Sequence, residues 1–162
     1  MANYRRCGSA GPVLDQAGNL FTSEDEGHRV GKVAHGVAAT VAGTGKTWFA
    51  ADGGKAVEAE LNALGKLAGD GAGKLYIADT ANRPVRMVTP DGTISTVAGN
   101  GTPGSAGDGG LATFAQLHLI TGLSSDHAGN LLIADLQEHR VLLVVRAAVP
   151  PSKSRPVKTL SG

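Results

Sequence analysis

The chain of 162 residues is short of cysteine, of aromatic side chains and of long apolar runs, and it has almost no net charge. A lone cysteine, Cys7, cannot close an internal disulfide, so the fold is not held by one and cysteine usage does not report the redox compartment. Fifteen Lys and Arg stand against 14 Asp and Glu, a net charge of +1. That balance argues against a dedicated polyanion binder, which usually gathers a strong basic excess on one face. No apolar run approaches the length of a membrane span, and the opening MANYRRCGSAGPVLDQAGN lacks the apolar core of a signal peptide. As written, the product is expected to be soluble and to stay in the cytoplasm.

What the chain does have is glycine, 24 residues placed between short apolar runs. That is turn chemistry rather than low complexity, and the length suffices for one domain with a real core. The glycines also expose a repeat. Gly18-Asn19-Leu20, Gly73-Lys74-Leu75 and Gly129-Asn130-Leu131 recur at intervals of 55 and 56 residues, and Val41-Ala42-Gly43 and Asp52-Gly53-Gly54 recur 56 residues on as Val97-Ala98-Gly99 and Asp108-Gly109-Gly110. Several anchors in one register make the repeat the organising fact.

Each unit reads as four short strands with tight connections, a small antiparallel meander. In the second unit these are Leu64 to Gly69, Leu75 to Ala78, Val85 to Val88 and, after the turn Pro90-Asp91-Gly92, Thr93 to Ala98. The division is an irregular leader 1–10, a first unit with its connector 11–61, a second 62–117 and a third 118–162. In the third unit an insertion with Pro150-Pro151 displaces the last strand, and Val157 to Gly162 is matched to Ile94 to Gly99. The connectors 43–61 and 99–117 end in Ala-rich segments suited to a turn of helix. The basic tail with Lys153, Arg155 and Lys158 is expected to be a disordered or edge segment.

Four-stranded units of this length, stacked radially, make a β-propeller. GNLLIAD from Gly129, the His139-Arg140-Val141 segment, DGTISTVAG from Asp91 and GDGGLATFAQL from Gly107 resemble the NHL-repeat propellers in their longer-repeat bacterial form. The resemblance implies an all-β fold of propeller blades, generally six per ring, used mainly as a scaffold that binds protein, RNA or peptide. A related minority performs lyase or hydrolase chemistry around channel metal ions, and family members are often exported. Propellers close with about four to eight blades, and three are present. The chain is therefore expected to be either a piece of a longer product or a half-propeller whose homodimer completes a six-bladed ring.

Few residues suggest chemistry. Gly99 to Gly104 matches GxGxxG, but the strand before it belongs to a meander and more glycines follow, so a flexible blade connector is the favoured reading over a dinucleotide site. The GKT at Gly45-Lys46-Thr47 lacks the first glycine of a P-loop. The five histidines show no metal-ligand spacing, and the segments at His28-Arg29 and His139-Arg140 are expected to bridge to nearby carboxylates, with Arg83-Pro84 in the middle unit. Glu24, Asp79 and Asp135 occupy equivalent positions, and Asp15, Gly71 and His127 are aligned in a neighbouring turn. A carboxylate ring of Glu24, Asp79 and Asp135 could hold calcium or zinc, but a residue recurring in every blade is better explained by a need common to all blades, such as capping. No nucleophile elbow occurs. The expected function is therefore a non-catalytic protein- or peptide-binding scaffold without a cofactor, the alternative being part of a metal-dependent lyase or hydrolase.

Departures from the repeat are the better binding candidates. Lys46-Thr47-Trp48-Phe49 replaces Thr102-Pro103-Gly104-Ser105, placing Trp48 and Phe49 either under a blade edge, the favoured outcome, or on show as anchors for a partner. The acidic turn Glu24-Asp25-Glu26 is the second departure.

Overall fold

The computed structural model describes residues 11–24, 26–50, 52–126, 128–145 and 157–160. Cys7, Asp25, His127, Lys153 and Arg155 lie outside them. Among the described residues, twelve strands form three four-stranded antiparallel meanders. The first contains β1 (Val13–Leu14), β2 (Leu20–Glu24), β3 (Arg29–Ala34) and β4 (Val37–Ala42). The second contains β5 (Leu64–Gly69), β6 (Leu75–Asp79), β7 (Val85–Val88) and β8 (Ile94–Ala98). The third contains β9 (Ile120–Ser125), β10 (Leu131–Asp135), β11 (Arg140–Val144) and β12 (Val157–Leu160). The expected all-β fold of three propeller-like blades is what the chain adopts. Val157 pairs with Val144 as Ile94 pairs with Val88, so the displaced last strand of the third blade lands in the expected register.

The turns between first and second strands follow from local chemistry. Asp15 Oδ1 accepts from the N–H groups of Ala17 and Asn19, and Asp70 Oδ1 from those of Ala72 and Lys74. The side chain replaces a backbone acceptor and closes the turn. Each Ala-rich connector segment forms one short 3₁₀ turn, Ala56–Glu58 and Ala112–Phe114. Each docks on the strand that leaves the preceding blade: Gly43 N–H donates to Ala56 O and Gly99 N–H to Ala112 O, both at 2.9 Å. Among the described residues no helix is long and apolar enough to cross a membrane.

The core lies between blades. Alternate residues of a strand face opposite sides of its sheet, so β6 sends Leu75 and Ile77 towards the first blade and Tyr76 and Ala78 towards the third. All five residues of β6 are buried. One cluster joins Val30, Leu61, Leu67, Ile77 and Ile94, and the other joins Tyr76, Val85, Leu117, Ile133 and Leu142. Each large aliphatic side chain buried this way contributes about 1.5–3 kcal/mol.

Where strand four leaves a blade the backbone turns sharply. Gly43 and Gly99 hold φ of +92° and +91°, and a Cβ there would strike the carbonyl oxygens of His28 and Arg83. Gly43→Ala and Gly99→Ala should each lower stability by about 2 kcal/mol or more, since both strain and steric conflict act. Urea midpoints of the two variants check this.

Candidate functional site

The turns between second and third strands and the connectors between blades lie at one end of the sheets. Each of these turns carries a non-glycine residue with left-handed backbone: His28 (φ 50°), Arg83 (φ 74°) and His139 (φ 50°). Residues other than glycine reach that region at a cost of roughly 1–2 kcal/mol, so neighbouring contacts must hold the turns in place. In the second blade Asp79, fully buried, accepts from Asn62 N–H at 2.8 Å and from Asn82 Nδ2 at 3.0 Å. In the third, Asp135 accepts from the N–H groups of His118 and Leu119 at 3.0 and 2.9 Å. Both carboxylates thus fasten the backbone that leads into the first strand of their own blade.

Each buried carboxylate faces a guanidinium, but the guanidinium comes from different positions. Arg140 Nη2 lies 3.7 Å from Asp135 and donates to the carbonyls of Gly104 and Gln116, while its Nη1 donates to Ser105 O. The middle blade has Pro84 where the others have Arg29 and Arg140, and Arg86 supplies the charge instead. Its side chain is fully buried, with Nη1 3.6 Å from Asp79, and its Nη2 donates to Asp52 Oδ1 at 3.0 Å and Ala50 O at 3.3 Å. The Phe49 ring covers it, 4.6 Å from the guanidinium carbon to the ring centroid. Sequence reasoning missed Arg86 because it concentrated on Arg83-Pro84. The signal was present as an arginine in a strand position held by Gly31 and Leu142 in the other units. The expected bridge to carboxylates holds for Arg140, whereas His28 Nδ1 accepts from Ala63 N–H at 3.2 Å, a backbone group of the next blade's entry.

Trp48 is presented rather than tucked under the blade edge: it is 71% exposed, and its carbonyl accepts from Asn82 Nδ2 at 2.7 Å. Phe49, 45% exposed, forms one wall of a cavity of about 480 Å³ with Pro84, and Asp52, Asn82, Asn100 and Thr113 supply polar lining. Lys46 is exposed on the same connector. Glu24 is half-buried against Gly27, and Glu26 is exposed. Arg29, the register partner of Glu24, donates to Thr44 O at 2.9 Å and so ties the acidic turn to the start of the connector. The structure thus brings Glu24, Glu26, Lys46, Trp48 and Phe49 to the same end of the sheets.

The opposite end corrects one alignment. The turn equivalents of Asp15 are Asp70 and Asp126, not Gly71 and His127: Asp126 Oδ1 accepts from Asn130 N–H as Asp15 Oδ1 does from Asn19. All three line a cavity of about 210 Å³. The side-chain amides of Asn19 and Asn130 hold the carboxyls of Asp15 and Asp126 below their ordinary 3.8. Burial does the reverse to Asp79, pushing it up against the opposing pull of Asn82, Asn62 and Arg86. Among the described residues no group of three His, Cys, Asp or Glu side chains is arranged to hold a metal ion.

Neither a family model nor a curated protein matches the chain. Solved structures do. A protein of unknown function from Bacteroides thetaiotaomicron is 23% identical with a TM-score of 0.67, over 83% of this chain and 36% of that one. An auxiliary nutrient binding protein from the same organism is 20% identical with a TM-score of 0.67, over 80% and 35%. A putative gluconolactonase is 15% identical with a TM-score of 0.63, over 93% and 48%. The chain thus spans less than half the length of these structures. At such identities the likeness is one of fold, and that fold is the β-propeller.

Asp79→Ala would leave the buried Arg86 with Asp52 as its one carboxylate and would unpair Asn62 N–H, and should cost about 2 kcal/mol in denaturant unfolding. Arg86→Leu, which copies the third blade's residue, should release the connector and speed proteolysis at 46–52 while the sheets persist. The lowered carboxyls of Asp15 and Asp126 contribute stability above 3.8 that is lost as pH falls through their folded values. Asp79, with its raised value, acts oppositely and costs stability as pH rises through that value. A double Asp15→Asn, Asp126→Asn variant should therefore lose less stability than wild type below about pH 4, read from urea midpoints against pH.

Proposed function

We propose that this chain is a non-catalytic binding module built from NHL-type blades, and that it takes a protein or peptide ligand on the connector end. The observation that carries this reading is the way the Trp48-Phe49 pair is held. Phe49 packs over a buried guanidinium that is bonded to Ala50 O and Asp52 Oδ1 and faces Asp79, and it walls a cavity of about 480 Å³, while the exposed Trp48 follows directly before it with its carbonyl bonded to Asn82. An aromatic side chain seated as Phe49 is has little freedom left to lose on contact, and an exposed tryptophan beside it adds a large apolar surface of the kind that anchors partners. The cavity falls within the usual range of about 300–1,000 Å³ for ligand sites. Glu24, Glu26 and Lys46 edge the same end and supply a charged rim, to which Asp25 belongs by sequence.

The metal-dependent lyase or hydrolase reading, for which one structural neighbour is a putative gluconolactonase, finds less support in the residues. Asp79 and Asp135 have both carboxylate oxygens engaged within their own blades, and Glu24 lies against Gly27. Elemental analysis of the purified protein separates the two, since stoichiometric calcium or zinc would favour the enzyme reading.

Because Trp48 is the only tryptophan, its emission reports the site directly. A peptide selected from a random phage library on the immobilised chain should shift that emission to shorter wavelength. Trp48→Ala should weaken its binding at least tenfold, about 1.4 kcal/mol, with thermal stability unchanged. Equal affinity would remove this surface from the proposal.

A further inference from the structure

We propose that two copies of this chain close a six-bladed ring, the open face of the third blade in each copy packing on the open face of the first blade in the other. The junction between the second and third blades supplies the template. There Tyr76, Ala78, Val85 and Met87 of the second blade lie against Leu131, Ile133, Leu142 and Val144 of the third, and Tyr76, Ala78 and Val85 are fully buried.

Among the described residues, the third blade repeats the first of these faces without its cover. By the 56-residue register the equivalents are Leu132, Ala134, Val141 and Leu143, all apolar. Pairing places Leu160 beside Val141 on this face. Val141 is 37% exposed and Leu160 46%, where Val85 in the second blade has no exposure. The first blade carries the other half of the junction with smaller residues, exposed at its outer strand. Leu20, Thr22, Gly31, Val33 and Ala38 are the equivalents of Leu131, Ile133, Leu142, Val144 and Val157, and Ala38 and Thr40 are exposed. Among the described residues, no charged side chain interrupts the interior of either face except Lys158, on the outermost strand of the third blade.

A second copy is the occupant that fits both faces with one kind of junction. Three blades fall below the closing number and six lie within it. Around a two-fold axis the two junctions are equivalent, each copy contributing one face of each type, so no apolar blade face is left in water. Pairing of third blades with one another would still leave both first-blade faces open.

Sedimentation velocity across a range of concentrations should show a species of twice the 16.3 kDa chain mass. Leu143→Glu on the third blade and Thr40→Glu on the first should each convert it to monomer, with the β-sheet circular dichroism retained. Hydrogen exchange of the unaltered chain should slow with concentration in both β4 and β11, which keeps the test open should a variant fail to fold. A wild-type monomer at every concentration, with no concentration-dependent protection, would overturn the proposal. So would a dimer that Leu143→Glu breaks and Thr40→Glu leaves intact, or a ladder of species larger than two chains.

Discussion

A four-stranded sheet whose two faces are both apolar must be covered on both sides, and most of this structure follows from that constraint. The second blade meets it completely. Its β6 is buried throughout, with Leu75 and Ile77 in one core cluster and Tyr76 and Ala78 in the other. Among the described residues, the blades on either side each meet it on one face only. Burial of apolar surface is non-directional, so the faces alone do not set which blade packs where. The order is imposed by connectors, which hand the chain from the last strand of one blade to the first strand of the next.

Those connectors are held by polar groups. Asp79 and Asp135 bind the N–H groups at the entry of the first strand, and Arg86 and Arg140 bind the connector and face the same carboxylates. A buried carboxylate opposite a buried guanidinium is tolerated when hydrogen bonds satisfy the remaining groups; in both blades the carboxylate oxygens are satisfied, while Arg86 Nε and Nη1 and Arg140 Nε have no hydrogen-bond partner among the described residues. The same device positions the candidate site. In the second blade the guanidinium lies two residues further along the strand, and the connector folds over it with Phe49 stacked on the charge and Trp48 turned outward. A shift of one arginine between repeats thereby converts a structural anchor into a support for an exposed aromatic pair.

The strands, their antiparallel order, the single turns at Ala56–Glu58 and Ala112–Phe114 and the place of the last strand were legible in the sequence, because each depends on local pattern: apolar alternation, Asp and Gly at turns, and a fixed repeat. The site was legible only in outline. Trp48, Phe49, Lys46 and the Glu24 turn stood out as breaks in the repeat, but burial of Trp48 was the expected outcome and the structure shows it exposed. Arg86 passed as an ordinary strand residue, since its partners Ala50, Asp52 and Phe49 come from more than thirty residues earlier in the chain. The alignment of Asp15 with Gly71 failed by one residue for a related reason: residue type was matched across units without the turn bonds that identify Asp70 and Asp126.

By itself the sequence determined three all-β blades and a near-zero net charge, because periodicity and turn chemistry act over a few residues. Only the tertiary structure decided which face of each blade is covered, which arginine meets which carboxylate, and which aromatic side chain reaches solvent. Those outcomes depend on contacts between residues dozens of positions apart, and such contacts exist only once neighbouring sheets are packed together.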